Sequence, residues 1–190
     1  MSVADEIFEI FATRGSAAYF GEAVSTTEHC LQTAYFAQLE QAPAQLVVAA
    51  LLHDIGHLVV DVPDELEDWL EDARHEETGG AWLARRFGPA ISEPVRLHVP
   101  AKRYLCATQQ SYFKRLSPAS VKTLELQGGP MSAAEVAAFE AEPFCRDAIR
   151  VRHWDDSGKV AGMVIPDLSS YRALLEAQAG VGLPVSRASP

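Results

Sequence analysis

The chain has 190 residues and 26 acidic against 16 basic side chains, a formal net charge of −10. Binding to a phosphate backbone needs clustered Lys and Arg, so this balance argues against duplex nucleic acid as the partner. The length fits one domain burying about two-thirds of its unfolded surface, which needs no covalent staples.

The three cysteines, Cys30, Cys106 and Cys145, are dispersed and form no CxxC pair. They indicate neither a disulfide framework nor a thiolate zinc site, and a reduced cytoplasmic setting is expected. Asp5, Glu6 and Glu9 lie among the apolar residues between Met1 and Gly15, a pattern that does not fit a basic-then-apolar export signal. No uncharged apolar run approaches the roughly 18 residues of a membrane span.

In chain order, Asp5 to Thr13 shows helical apolar spacing through Ile7, Phe8, Ile10 and Phe11, and Arg14-Gly15-Ser16 breaks it. A short loop, Tyr19-Phe20-Gly21-Glu22, is rich in side chains capable of chemistry. Ser25-Thr26 caps a second helix running to Leu39, with His29 on its apolar face. Pro43 fits the first turn of a third helix, whose apolar run Leu46 to Leu52 ends in His53-Asp54-Ile55-Gly56-His57. A carboxylate at the end of a buried helix costs several kcal/mol, of order 3 or more, unless it is paired or binds a metal. Gly56 suits a chain that leaves this helix through a left-handed conformation.

Asp61-Val62-Pro63-Asp64 reads as a turn into an acidic helix through Trp69 and Leu70. Its Glu65, Glu67, Asp68, Glu71 and Asp72 suit a solvated face. His75 opens the next helix, and Gly79 and Gly80 behind it imply close backbone packing. Pro89 to Leu97 reads as a helix ending at His98, stopped by Val99-Pro100. Helical pattern resumes from Ala101 to Leu116 and carries Lys102. Ser117-Pro118 caps a helix bearing Ser120, Lys122 and Thr123 near its positive end. Gly128-Gly129-Pro130 is a turn, and Ser132-Ala133-Ala134-Glu135 has the form of a capping box. Pro143 opens a helix through Arg152 and Trp154 to Asp155-Asp156, Pro166 precedes a terminal helix to Gln178, and residues 180–190 are expected to fray. With no alternating strand pattern, the chain reads as one all-α domain, a compact bundle of about eight to ten helices.

His29, His53, Asp54, His75, His98 and Asp155 fall on or at the ends of five different helical segments. A bundle core is the architecture that brings such residues to one point, and imidazole with carboxylate is a metal-binding donor set. Without thiolate the set suits iron or manganese and also admits zinc. The residues alone do not choose among them, nor does helical phase choose between Asp155 and Asp156 as the last ligand.

The spacing His29, His53-Asp54, Asp155 resembles the HD-domain superfamily, and the added His75 and His98 resemble its two-metal branch. Several further segments sharpen the likeness: Tyr19-Phe20-Gly21-Glu22, Lys102, Ser120-Val121-Lys122-Thr123 and Arg152-His153-Trp154-Asp155-Asp156-Ser157-Gly158-Lys159. With them the chain from Tyr19 to Lys159 is similar to the HD-domain mixed-valent diiron oxygenases that cleave organophosphonates. His153 stands where that family's pattern leads one to expect Arg.

The resemblance implies one iron held by His29, His53 and Asp155, a second held by His75 and His98, and Asp54 bridging them. It implies a mixed-valent Fe(II)/Fe(III) pair with O2 as co-substrate. Tyr19 is implied to occupy an open iron position until substrate displaces it, with Glu22 moving in concert and facing a cationic nitrogen. His57, Lys102, Ser120, Thr123 and Arg152 are implied to hold the phosphonate. The expected reaction is oxidative C–P cleavage of a 1-hydroxy-2-(amino or trimethylammonio)ethylphosphonate to phosphate and glycine or glycine betaine. Primary amine and trimethylammonium remain open alternatives. A small organophosphonate is thus the expected partner, with no nucleic acid and no membrane. The rival reading is a two-metal HD phosphohydrolase acting on nucleotides through a metal-bound hydroxide, which shares every ligand. Against it stand Tyr19 and Glu22 and the absence of a GYP stretch. A regulatory HD domain that binds a ligand without turnover is a third reading.

Overall fold

The computed structural model describes residues 1–19, 22–59 and 74–183. The turn at Asp61, the acidic helix after it, Phe20, Gly21 and the last residues of the expected frayed end lie outside them. Among the described residues the chain is all-α. It carries twelve α-helices and one 3-10 turn, with no strand beyond a single bridge between Ala18 and Ser25. No helix in this set is long and apolar enough to cross a membrane.

The first helix, α1 (Val3–Arg14), is opened by Ser2 and Asp5 in a reciprocal capping box and buries Ala4, Ile7 and Phe11. The helix α2 (Thr26–Leu39) opens with the same device, built from Ser25 and Glu28, and so places His29 in its first turn. α3 (Ala44–Leu51) is the centre of the core. Val48 to Leu52 are fully buried there, each larger side chain contributing about 1.5–3 kcal/mol by leaving water. It packs against α2, α6 (Pro89–Arg96), α11 (Cys145–Ser157) and α12 (Arg172–Gln178). A second, smaller cluster of Leu97, Ala101, Phe139 and Ala148 joins α7 (His98–Thr108) and α10 (Ala133–Glu140) to α11. The remaining short helices are α4 (Ile55–Val59), α5 (His75–Ala84), α8 (Gln110–Phe113) and α9 (Pro118–Leu126).

Three local expectations are corrected. Gly56 does not leave a helix end in a left-handed conformation; it lies inside α4. Its missing side chain is instead required by α5, because a Cβ there would lie 1.9 Å from the carbonyl oxygen of His75. His98 does not end α6 but opens α7, after a break at Leu97 (φ −96°, ψ −1°). Pro100 clashes with continuation of α6 one turn upstream yet is tolerated in the first turn of a new helix, so the boundary falls ahead of the histidine. Pro43 is the residue before α3 rather than part of its first turn.

The expected packing of Gly79 and Gly80 is present. A Cβ on Gly79 would lie 3.1 Å from Gly56 N, and one on Gly80 2.9 Å from Arg96 Cβ. At the chain's far end Gly180 is tied down, donating to the Arg86 carbonyl at 2.8 Å.

Candidate metal centre and anion pocket

His53 and Asp54 occupy the turn between α3 and α4, where a break after Leu52 redirects the chain and aims both side chains inward. Around them stand His29 from α2, His75 and His98 from the first residues of α5 and α7, and Asp155 from α11. All six are at most 7 % exposed. They form two clusters that share one carboxylate. In the first, His29 Nε2 and His53 Nε2 are 3.0 Å apart and lie 3.6 and 3.3 Å from Asp54 Oδ2, and Asp155 Oδ1 is 3.4 Å from His29 Nε2. In the second, His75 Nε2 and His98 Nε2 are 3.2 Å apart and lie 3.3 and 3.5 Å from Asp54 Oδ1. Each Asp54 oxygen therefore faces a different histidine pair.

The tautomers follow from what backs each ring. His29 Nδ1 donates to Gly158 O at 2.8 Å, His53 Nδ1 to Ala50 O at 2.9 Å and His98 Nδ1 to Val95 O at 2.7 Å. The Nδ1 of His75 lies 3.6 Å from the buried carboxylate of Glu76. With the Nδ1 positions carrying the protons, the Nε2 atoms present lone pairs to one another, an arrangement that is repulsive without a cation between them. Asp54 Oδ2 and Asp155 Oδ1 are buried and lack a hydrogen-bond partner. Two nitrogens bound at about 2.1 Å stand about 3.0 Å apart when cis in an octahedron and about 3.4 Å apart in a tetrahedron. The His29–His53 separation of 3.0 Å matches the octahedral value and the His75–His98 separation of 3.2 Å falls midway between the two. The residues thus fit a pair of divalent or trivalent ions.

Electrostatics agree. Burial opposes charge on Asp54, but the facing His53, His75 and His98 outweigh it and hold its carboxyl well below the ordinary carboxylate range. Burial likewise opposes charge on Asp155, and Arg152 chiefly reverses it. Burial presses the His98 imidazole down to about 4, so it is a neutral donor at physiological pH.

Among the remaining expected residues, Tyr19 and His57 each stack on a histidine of a different pair. The Tyr19 ring stacks on His29 (centroids 3.9 Å apart, 19° between planes). Burial, with the Asp54 and Asp155 charges beside it, pushes the phenol well above its usual value and keeps it protonated. Glu22 is fixed by its N–H to the Tyr19 carbonyl at 2.7 Å, and its Oε1 is buried without a hydrogen-bond partner. His57 stacks on His75 at 3.9 Å. Lys102 is 2 % exposed and donates to Thr123 Oγ1 at 2.9 Å. Ser120, in the first turn of α9, receives a bond at 3.0 Å from Lys159. Arg152 instead reaches behind the centre, with NH1 2.7 Å from Asp155 Oδ2 and its other donors on Asp156 and Tyr112. Of the two adjacent aspartates, Asp155 faces the histidines and Asp156 faces away, toward Tyr112.

Sequence reasoning did not place Lys159, Tyr112 or Glu76 in the site. The ammonium of Lys159 lies 4.0 Å from both Glu22 Oε1 and Asp155 Oδ1 and donates to Ser120 Oγ at 3.0 Å. Its position one turn past Asp155 was the available signal. Tyr112 gave none, because α8 is too short to show a periodic pattern. A carboxylate beside a ligand histidine was the signal for Glu76. Gly158 also matters, since a Cβ there would lie 2.5 Å from Thr33 Oγ1 and keep its carbonyl from reaching His29.

A match to the HD domain covers residues 26–155, which contains all six candidate ligands. The chain is 46 % identical over 171 residues to the hydroxymethylphosphonate dioxygenase of Gimesia maris, an alignment covering 90 % of this chain and 85 % of that one. It is 45 % identical over 175 residues to the glycine-betaine-forming [1-hydroxy-2-(trimethylamino)ethyl]phosphonate dioxygenase of Leisingera caerulea, covering 92 % and 89 %. With its fold all helical and its histidines and aspartates gathered at one buried centre, the protein belongs to the HD-domain family, in the branch that contains these two phosphonate dioxygenases.

Proposed function

We propose that the protein is an iron-dependent oxygenase that cleaves the C–P bond of a 1-hydroxyphosphonate. The observation that carries this reading is the sharing of Asp54 between two histidine pairs, with the buried Lys102, the part-buried Lys159 and two hydroxyls on the flank of the same centre. His29, His53 and Asp155 would hold one iron and His75 and His98 the other, with Asp54 common to both. A mixed-valent Fe(II)/Fe(III) pair with O2 would supply the four-electron oxidation that converts R–CH(OH)–PO3H2 and O2 to R–COOH and H3PO4, a balance needing no external reductant.

The chain's own residues bind and orient. Lys102, Lys159, Ser120, Thr123 and His57 are suited to the phosphonate oxygens, because a dianion in a buried pocket requires charge-assisted donors. Arg152 adds positive charge from behind Asp155. Tyr19, a neutral phenol over His29, would cover the metal face until a substrate hydroxyl replaces it, and so keep water from that position. Glu22 would turn its unpartnered oxygen toward the substrate's far end, where an amino or trimethylammonio group would be favoured. A substrate ending in hydrogen, as in hydroxymethylphosphonate, leaves that oxygen to Lys159.

The test is oxygen uptake with stoichiometric phosphate release by iron-loaded protein. The substrates are hydroxymethylphosphonate, 1-hydroxy-2-aminoethylphosphonate and its N-trimethyl analogue. Turnover of at least one at one O2 per phosphate is expected. Inactivity on all three, with anaerobic hydrolysis of a phosphodiester, would replace this reading by the phosphohydrolase.

A further inference from the structure

Arg152 is 4 % exposed and every nitrogen of its guanidinium has a protein partner. NH1 meets Asp155 Oδ2 at 2.7 Å, NH2 meets Asp156 Oδ1, and Nε donates to Tyr112 Oη at 3.0 Å. Tyr112 closes the figure by donating its hydroxyl to Asp156 Oδ2 at 2.6 Å. Both oxygens of Asp156 are thereby used, and the guanidinium plane is fixed by three groups from α8 and α11. One Asp155 oxygen is taken by this frame. The other, Oδ1, faces His29 Nε2 at 3.4 Å without a hydrogen-bond partner. The carboxylate is therefore held in one rotation, with a single oxygen left for a ligand.

We propose that Tyr112, Asp156 and Arg152 form a brace that restricts Asp155 to one-oxygen ligation of the first metal position and leaves a coordination place there open for substrate. The inference rests on the metal-centre reading above. It assigns positioning roles to Tyr112 and Asp156 and makes Arg152 a holder of Asp155 before it is a contact for the phosphonate. The frame suits that task on three grounds. A free carboxylate bound to an iron can swing to two-oxygen contact and fill the place a substrate needs. The contact of Arg152 NH1 with Oδ2 removes that freedom, and the planar guanidinium, anchored through NH2 on Asp156 and Nε on Tyr112, loses little entropy in doing so. Tyr112 prevents the guanidinium from rotating, since without its hydroxyl the Nε–H would be buried and unsatisfied. The ring itself is packed at 2 % exposure, so Tyr112→Phe removes the hydroxyl and keeps the packing.

The experiment compares wild-type protein, Tyr112→Phe and Asp156→Asn, each reconstituted anaerobically with iron. Iron retained per chain against a graded chelator is measured together with the electron paramagnetic resonance spectrum of the mixed-valent pair and with kcat and KM for a turned-over phosphonate. Outer partners of metal ligands typically alter metal affinity by about 10–100-fold. Both variants should lose the iron of the first position at about 10-fold lower chelator. Both should also show a shifted spectrum and a lowered kcat, with KM changed less than about threefold. Asp156→Glu, which restores a carboxylate, should recover much of the loss. Unchanged iron retention and spectrum with a raised KM would overturn the brace and make Arg152 a substrate contact. Failure of the wild-type protein to hold a pair of ions would instead refute the metal-centre reading, a separate outcome visible before any variant is made.

Discussion

Replacing Gly56 with alanine tests how tightly the second metal position is tied to backbone packing. The new Cβ would stand 1.9 Å from His75 O, 2.7 Å from His75 C and 3.0 Å from Gly79 N, all backbone atoms without rotamers to yield. Restoring a carbon–oxygen contact of about 3.3 Å requires α4 and α5 to part by about 1.4 Å. Strain of this kind costs about 1–3 kcal/mol of stability. The larger effect falls on the centre, because His75 is the first residue of α5 and Asp54 immediately precedes α4. Metal–ligand distances tolerate only about 0.2 Å, so a shift several times larger removes His75 from the ion it would share with His98. Metal analysis after anaerobic loading and dialysis against a mild chelator should give two ions per chain for the wild type and one for Gly56→Ala. The first position, built from α2, the turn after α3 and α11, should stay filled. Gly79→Ala, whose Cβ would meet Gly56 N at 3.1 Å, should show a smaller loss in the same direction. Retention of two ions at wild-type affinity by Gly56→Ala would refute the claim that the glycine sets the distance between Asp54 and His75.

Asp54→Asn leaves a single acceptor oxygen where two histidine pairs each face one, so coupling between two irons should vanish from the magnetic spectrum and activity should fall by more than about 100-fold. Lys102→Met and Lys159→Met each remove a charge-assisted bond worth about 1.5–3 kcal/mol, which predicts a KM for phosphonate raised about 10–100-fold with iron content unchanged. The exposed Lys122→Met should change neither. Away from the site, the Ser132 backbone N–H, the Ser132 side chain and Arg103 lower Glu135 to about 2. Because the folded state favours the ionised form, the stabilisation is complete above the ordinary carboxyl value of 4.5 and is lost as pH falls toward 2. Melting curves of the wild type and Glu135→Gln should differ at pH 6 and converge near pH 2, by the same linkage.

Much of this fold was legible because its signals are local. Ser25 with Glu28, Ser117 with Pro118 and Ser132 with Glu135 mark helix starts through hydrogen bonds within one turn, and each start lies where those residues place it. The buried run ending in His53-Asp54 carried the argument for a metal, and its neighbours converge as the scattered histidines required. What was misread depends on contacts between distant segments. Gly56 looked like a helix exit because its real partner, the His75 carbonyl, is remote in sequence. Pro100 looked like a stop for the helix before it, although it sits inside the next one. Arg152 showed a cation without showing that Asp155, Asp156 and Tyr112 surround it. Tyr112 lies in a helical turn of four residues, too brief for any periodicity to reveal which side faces inward.

The donors at the centre are spread from His29 to Asp155, and the imidazole at one end of that span is backed by the Gly158 carbonyl just beyond the other. The first position lacks Asp155 until α11 has docked against α2, so the full pair of ions would be held only then. Once there, they join segments that the unfolded chain leaves far apart, and anything that binds only the assembled form stabilises it in proportion to its free concentration. Heat resistance should therefore track the supply of the metal. A cell short of that metal would accumulate chains that are not merely inactive but easier to unfold and to degrade.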